Sequence, residues 1–113
     1  MLHEDMIRLR HIIAEAEEAC AFAENMSFNE FMGDRKTAKA IIRSVEVIGE
    51  ASSKITDELR EKYPDIPWKQ IIGMRNRLIH VYFDIDFRTV WQTVNENLPP
   101  LIEKLKGIME KEN

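Results

Sequence analysis

The chain is poor in the residues that break helices and in those that cross-link secreted domains. Its 113 residues include four Gly, four Pro and one Cys. A lone Cys20 cannot form a disulfide within the chain, so a disulfide scaffold is excluded and a reducing cytoplasm is the expected setting. No apolar run approaches the roughly 20 residues that span a bilayer. The opening "MLHEDMIRLRH" alternates charge with apolar residues, so no signal peptide is expected. A Gly-rich phosphate loop, a nucleophile elbow and a Cys/His metal set are all missing, which disfavours several familiar enzyme classes. His3 and His11 lack acidic or Cys companions at ligand spacing, and no metal or cofactor is expected. No strand pattern, internal repeat or interdomain linker is visible. Residues 1–113 therefore read as a single domain, large enough for one core.

What is abundant is helix-forming and charged. Charged residues make up 32% of the chain and apolar residues 44%, with a net charge of −4. An acidic balance argues against nucleic acid as a partner, but the charge is unevenly spread. Residues 1–30 hold seven acids and two bases, whereas residues 67–82 hold Lys69, Arg75 and Arg77 and no acid.

Apolar periodicity divides the chain into helices. Leu2, Met6, Leu9, Ile13, Ala16, Cys20 and Ala23 step by 4 and 3 and predict a first seam. "SFNE" at 27–30 reads as a capping box, with Ser27 as N-cap and Glu30 reaching back. Met26, Phe28, Phe31 and Met32 make this connection apolar, suited to plug the bundle end or to meet a partner. Asp34 caps a second helix whose seam (Ala38, Ile41, Val45, Ile48, Ser52, Ile55, Leu59) carries it to about residue 62. Gly49 in its middle costs roughly 1 kcal/mol against Ala, which close approach of another helix backbone would offset. Pro64 and Pro67 end that segment, and a third helix is expected over about 67–82. Asp86 then caps a last segment whose phase (Phe87, Trp91, Val94, Leu98, Leu101, Leu105, Ile108) runs through Pro99-Pro100, predicting a kink or two helices on one axis. The fold class is all-α, an antiparallel bundle of four to five helices.

The stretch "RNRLIHVY", residues 75–82, carries polar groups amid core residues. On a helical wheel Leu78, Val81, Met74 and Ile71 form the core face, and Trp68, Ile72 and Ile79 form a second apolar patch. Arg75 falls between the two, where a guanidinium must be paired or lie at an interface. Asn76 and His80, at i and i+4, share a face beside the second patch. The simplest resolution packs that patch against another chain, with Arg75, His80 and Tyr82 bordering a cleft at the contact. The plainer alternatives are an ion pair of Arg75 with Glu50 or Glu46, a surface histidine at 80 and a half-buried aromatic at 82.

Arg75, Asn76, His80 and Tyr82 together resemble the R-x-x-x-x-H-x-Y signature of HEPN-superfamily ribonucleases. The surrounding "VIGEAS", "YPDIPWKQIIGMRNRLIHVYFDID" and "VWQTV…NLPPL" resemble the HepT branch, the toxin half of the HepT–MNT toxin–antitoxin pair, over roughly residues 35–105. The resemblance implies a metal-independent endoribonuclease acting as a homodimer. In it His80 would be the acid/base group, Arg75 would hold the scissile phosphate, and Asn76 would hydrogen-bond at the same site. Tyr82 would accept AMP from the partner nucleotidyltransferase antitoxin of the MNT type. Glu50 and Arg77 are candidates for a supporting role around the cleft. A non-catalytic helical binding subunit of a nucleotidyltransferase complex is the other reading, favoured by the acidic net charge. The RNA target and any assembly beyond a dimer are not written in the sequence.

Overall fold

The computed structural model describes residues 2–80 and 84–112, with His80 described by its backbone alone. It confirms the all-α class. Three long helices make the body: α1 (His3–Phe22), α3 (Arg35–Ser53) and α8 (Leu98–Glu112). Helix α1 packs against both α3 and α8. Their shared core includes Leu9, Ile12, Ala16, Ile41, Ile48, Leu98 and Leu105, all fully buried.

The first seam differs from expectation. The buried face of α1 is Asp5, Leu9, Ile12, Ala16 and Ala19, while Leu2 is half exposed and Met6, Ile13 and Cys20 lie at the margin. Helix α1 packs against two neighbours, so its buried face is broader than a single seam and takes in Ile12 and Ala19 as well. A buried aspartate completes it. The Asp5 carboxylate accepts hydrogen bonds from Thr56 N–H at 3.1 Å and Thr56 Oγ1–H at 2.6 Å. Beyond the end of α1, Asn25 turns the chain with a φ of 63°, in the left-handed region that Asn tolerates.

Caps fall where predicted. Ser27 and Glu30 form a complete capping box at α2 (Phe28–Met32). Asp34 accepts from Thr37 N–H at 2.9 Å to open α3. Every residue of the predicted second seam is buried, from Ala38 to Leu59. The helix itself stops at Ser53, however, earlier than expected. Thr56 caps a separate α4 (Asp57–Lys62), because its own oxygen competes for the Leu59 N–H.

The Pro99-Pro100 problem is solved by a π-helical stretch. Helix α7 (Phe87–Gln92) continues through a π segment, Thr93–Asn97, directly into α8. The Leu98 N–H reaches back to Thr93 O instead of Val94 O. Prolines lack the donor that an α-ladder needs, so a wider turn before them avoids the clash with the preceding carbonyls. The bypassed Val94 carbonyl accepts from Cys20 Sγ at 3.6 Å, and burial raises the pKa of that thiol. Phe28, Phe31, Phe87 and Trp91 close this end of the bundle, with Phe31–Trp91 centroids 5.1 Å apart. No described helix is long and apolar enough to cross a membrane.

Candidate active site

The electropositive segment is where the structure departs furthest from one continuous helix. Pro67 opens α5 (Trp68–Ile72), Gly73 breaks it, and α6 (Met74–Leu78) follows. The chain then turns extended: Ile79 has φ −123° and ψ 123°. Ile79–His80 (β1) pairs antiparallel with Asp84–Ile85 (β2), Ile79 opposite Ile85 and His80 opposite Asp84. Over the described residues 67–80 the expected helix is thus corrected to two one-turn helices and a two-residue strand. The expected absence of strands is corrected with it. The β-branched Ile79 and Ile85 favour extended backbone, and the Asp86 N–H donates to Leu78 O at 2.9 Å at the end of the strand pair. Because residue 80 lies in a strand, the face shared by Asn76 and His80 at i and i+4 does not exist. Val81 and Tyr82, including the proposed place of Tyr82 beside Arg75, lie outside the described residues.

Short elements such as these need anchoring from outside, since helices of one turn are not stable alone. Trp68 is 7% exposed and donates Nε1–H to Tyr63 O at 3.1 Å. Met74 and Leu78, one turn apart, are buried. Between them the intervening residues turn outward: Arg75 is half-buried, Asn76 and Arg77 exposed. The predicted close approach at Gly49 is found here. A Cβ on Gly49 would sit 3.1 Å from Ile72 O and 3.4 Å from Ile71 O, so α5 lies in a notch of α3.

Arg75 is paired, as its position required. Its Nε lies 3.4 Å from Glu46 Oε2, with the two side chains 38% and 36% exposed. Glu46 engages the guanidinium through its inner nitrogen, and a planar guanidinium carries further donors of the kind that match phosphate oxygens. Glu50 is the other sequence candidate. It is 68% exposed and lies 4.0 Å from Lys54 instead. Arg77 turns to the opposite flank of α6, where Nη2 donates to Gln70 O at 3.5 Å. The structure therefore brings Arg75 to Glu46 and separates it from Arg77. Sequence reasoning offered Glu46 and Glu50 equally; helical phase cannot separate two residues one turn apart, and the pose of α6 does. Among the described residues, no group of three or more His, Cys, Asp or Glu side chains converges as a metal set.

Among the described residues, α6 thus carries a half-buried, paired Arg75 beside an exposed Asn76, with His80 following in β1. The sequence matches the family "Ribonuclease HepT-like" over residues 9–108, and the chain belongs to this HepT-like ribonuclease family. It is 44% identical over 100 residues to "Probable ribonuclease HepT" of Thermococcus cleftensis, covering 88% of this chain and 87% of that protein. It is 40% identical over 104 residues to "Putative RNase TTE0752" of Caldanaerobacter subterraneus, covering 92% and 93%. A third relative, "Putative RNase MJ1380" of Methanocaldococcus jannaschii, is 39% identical over 98 residues, covering 87% and 90%. No solved structure matches the chain significantly.

Proposed function

We propose that this protein is a metal-independent endoribonuclease, the toxin of a type VII HepT/MNT toxin–antitoxin pair, working in the cytoplasm as a homodimer. RNA as the substrate class follows from the family. The observation that carries the finer reading is the intact Arg75-Asn76…His80…Tyr82 set inside the matched residues 9–108. In this reading a ribose 2′-oxygen attacks the adjacent phosphorus as the bond from phosphorus to the 5′-oxygen breaks. His80 takes the 2′-OH proton or returns one to the leaving 5′-oxygen, since an imidazole titrates near neutrality. Arg75 binds the phosphate and the charge that builds on it, and Asn76 adds a hydrogen bond. No step calls for a metal ion. The site is composite, with the two motif segments meeting across the dimer axis. AMP added to Tyr82 by an MNT-type nucleotidyltransferase antitoxin would block it with bulk and negative charge. Glu50, one helical turn from Glu46 on α3, and Arg77 would support the site from its margins.

The test is cleavage of a mixed RNA pool in excess chelator by wild type, Arg75→Ala and His80→Ala. Activity should survive chelation and fall at least a hundredfold in both variants. Silence of wild type shown by intact mass to carry no AMP would favour a non-catalytic binding subunit. Cleavage retained by both variants would overturn the site assignment.

A further inference from the structure

The π segment leaves a hollow on each side of the chain where α7 passes into α8, and the two hollows differ in charge. One, about 680 Å³, is lined by Glu17, Glu24 and Glu103 beside Lys106. Its lysine is already held by Glu17 at 3.1 Å. The other, about 250 Å³, lies between α5–α6 and the start of α8. Ile71, Met74 and Leu101 line it with apolar surface; Arg77 and Lys104 supply charge, and Asn97 ends the π segment at its edge. Among the described residues that line it there is no Asp or Glu. In a chain with 20 acids and 16 bases, a cleft with two cations and no acid is a local inversion of the molecule's charge.

Both cations are available. Neither Arg77 nor Lys104 pairs with a carboxylate among the described residues, and Arg77 makes only the long contact to Gln70 O. The volume lies below the roughly 300–1,000 Å³ of pockets for drug-sized ligands, which suits one ring system rather than a folded oligonucleotide. Apolar surface for a base face beside cations for the backbone is the combination that holds single-stranded RNA. The cleft also shares α6 with Arg75, two residues from Arg77, so one strand can reach both flanks of that single turn.

The geometry points to this cleft as a nucleotide subsite: it takes one unpaired nucleotide flanking the scissile bond, the base on Ile71, Met74 and Leu101 and a phosphate on Arg77 and Lys104. The inference rests on the ribonuclease reading for its substrate class. Its test is independent of cleavage. Binding of a 2′-fluoro RNA hexamer, which has no attacking hydroxyl, is measured by fluorescence anisotropy across a salt series. The proteins are wild type, the double reversal Arg77→Glu/Lys104→Glu, and Lys106→Glu as a charge change in the acidic hollow. All three replaced side chains are exposed, and unchanged melting temperatures would show that the fold is intact. The double reversal should weaken binding at least tenfold and flatten the salt slope by roughly 0.7, the value for one lost phosphate contact on a single strand. Lys106→Glu should change affinity less than twofold. A loss below tenfold in the double reversal, an equal loss in Lys106→Glu, or no binding by wild type would each overturn the proposal. A hexamer bound through the cleft by a protein that cleaves nothing would instead leave the subsite standing and sink the ribonuclease mechanism.

Discussion

The body and the motif arm of this molecule are built by different rules. Helices α1, α3 and α8 run 20, 19 and 15 residues, and each repeats its apolar face often enough to fix its own orientation against the core. Helices α5 and α6 run five residues each and lead into a two-residue strand. Elements so short are marginal in water; the notch at Gly49, the Trp68–Tyr63 hydrogen bond and the Leu78–Asp86 closure impose their shape. A body held by its own repeats can spend its side chains on packing. In α6 only Met74 and Leu78 are buried, which leaves Asn76 and Arg77 to face solvent and Arg75 to pair with Glu46 at the edge of the core. The arm can therefore carry charge at its surface, where turning a polar group outward costs no core contact.

The sharpest way to break the contrast is to fill the notch where the two regions touch. Gly49→Val places a branched side chain where the Cβ alone already approaches Ile72 O at 3.1 Å. Overpacking of this kind costs about 1–3 kcal/mol, to be read by urea denaturation. RNA cleavage should fall more steeply than stability, because α5 and α6 move together. Gly49→Ala should be milder, since it gains about 1 kcal/mol of helix propensity against the same carbonyl. If Gly49→Val unfolds the protein no more easily than wild type, the arm is not seated by this contact.

A second measurement tests a tie that holds the end of α8, away from α5 and α6. Near the end of α8, Glu112 accepts from Lys62 Nζ and from Tyr63 Oη–H, each at 2.6 Å, joining α8 to the exit of α4. The Lys62 ammonium and then the Tyr63 hydroxyl hold the Glu112 carboxyl down to about 2 from an ordinary 4.5. A folded-state value below the unfolded one means that the carboxylate stabilises the fold above about pH 4.5. That contribution is lost as pH falls from 4.5 toward 2. Melting temperatures of wild type and Glu112→Gln should therefore differ at pH 6, and the gap should close across that window. A gap independent of pH would mean that packing, not charge, ties α8 to α4.

The same division explains what could be read from the chain beforehand. Ser27, Asp34 and Asp86 cap helices because a short oxygen-bearing side chain binds the N–H two or three residues on, a rule that needs no tertiary knowledge. The seam from Ala38 to Leu59 is legible for a similar reason, and its phase survives even the break at Lys54–Ile55. The phase through Pro99-Pro100 is right as well, with a π turn as the device that keeps it. Asp5 was invisible because burying a carboxylate makes sense only once Thr56, fifty-one residues away, supplies both its hydrogen bonds. Within 67–80 the expected helix gives way because Met74 and Leu78 fit a helical wheel while Ile79 and His80 lie in a strand, and a wheel cannot show the change of period. At the candidate site the motif residues were legible as a spacing. Which carboxylate meets Arg75, and which flank of α6 carries Arg77, depends on contacts made by α3 and α8.

The finest separation of body from arm is Glu46, a body residue whose contact is with the arm. As an ion pair more than one-third exposed it is worth about 0–1 kcal/mol, so Glu46→Ala should leave the melting transition almost where it was. Its effect on catalysis should be larger. Held through Nε, the Arg75 fork keeps its outer nitrogens aimed in one direction; without that hold the guanidinium samples many directions, and fewer of them meet a phosphate. We expect kcat to fall about tenfold, roughly 1.4 kcal/mol in the barrier, with KM for RNA little changed. Glu46→Gln, which retains an oxygen to accept from Nε, should recover most of the loss. Full activity in Glu46→Ala would show that the arm positions its arginine without help from α3, and the body would then be only a platform. A loss that Glu46→Gln does not recover would show that the negative charge itself, rather than the orientation it imposes, is what the arginine requires.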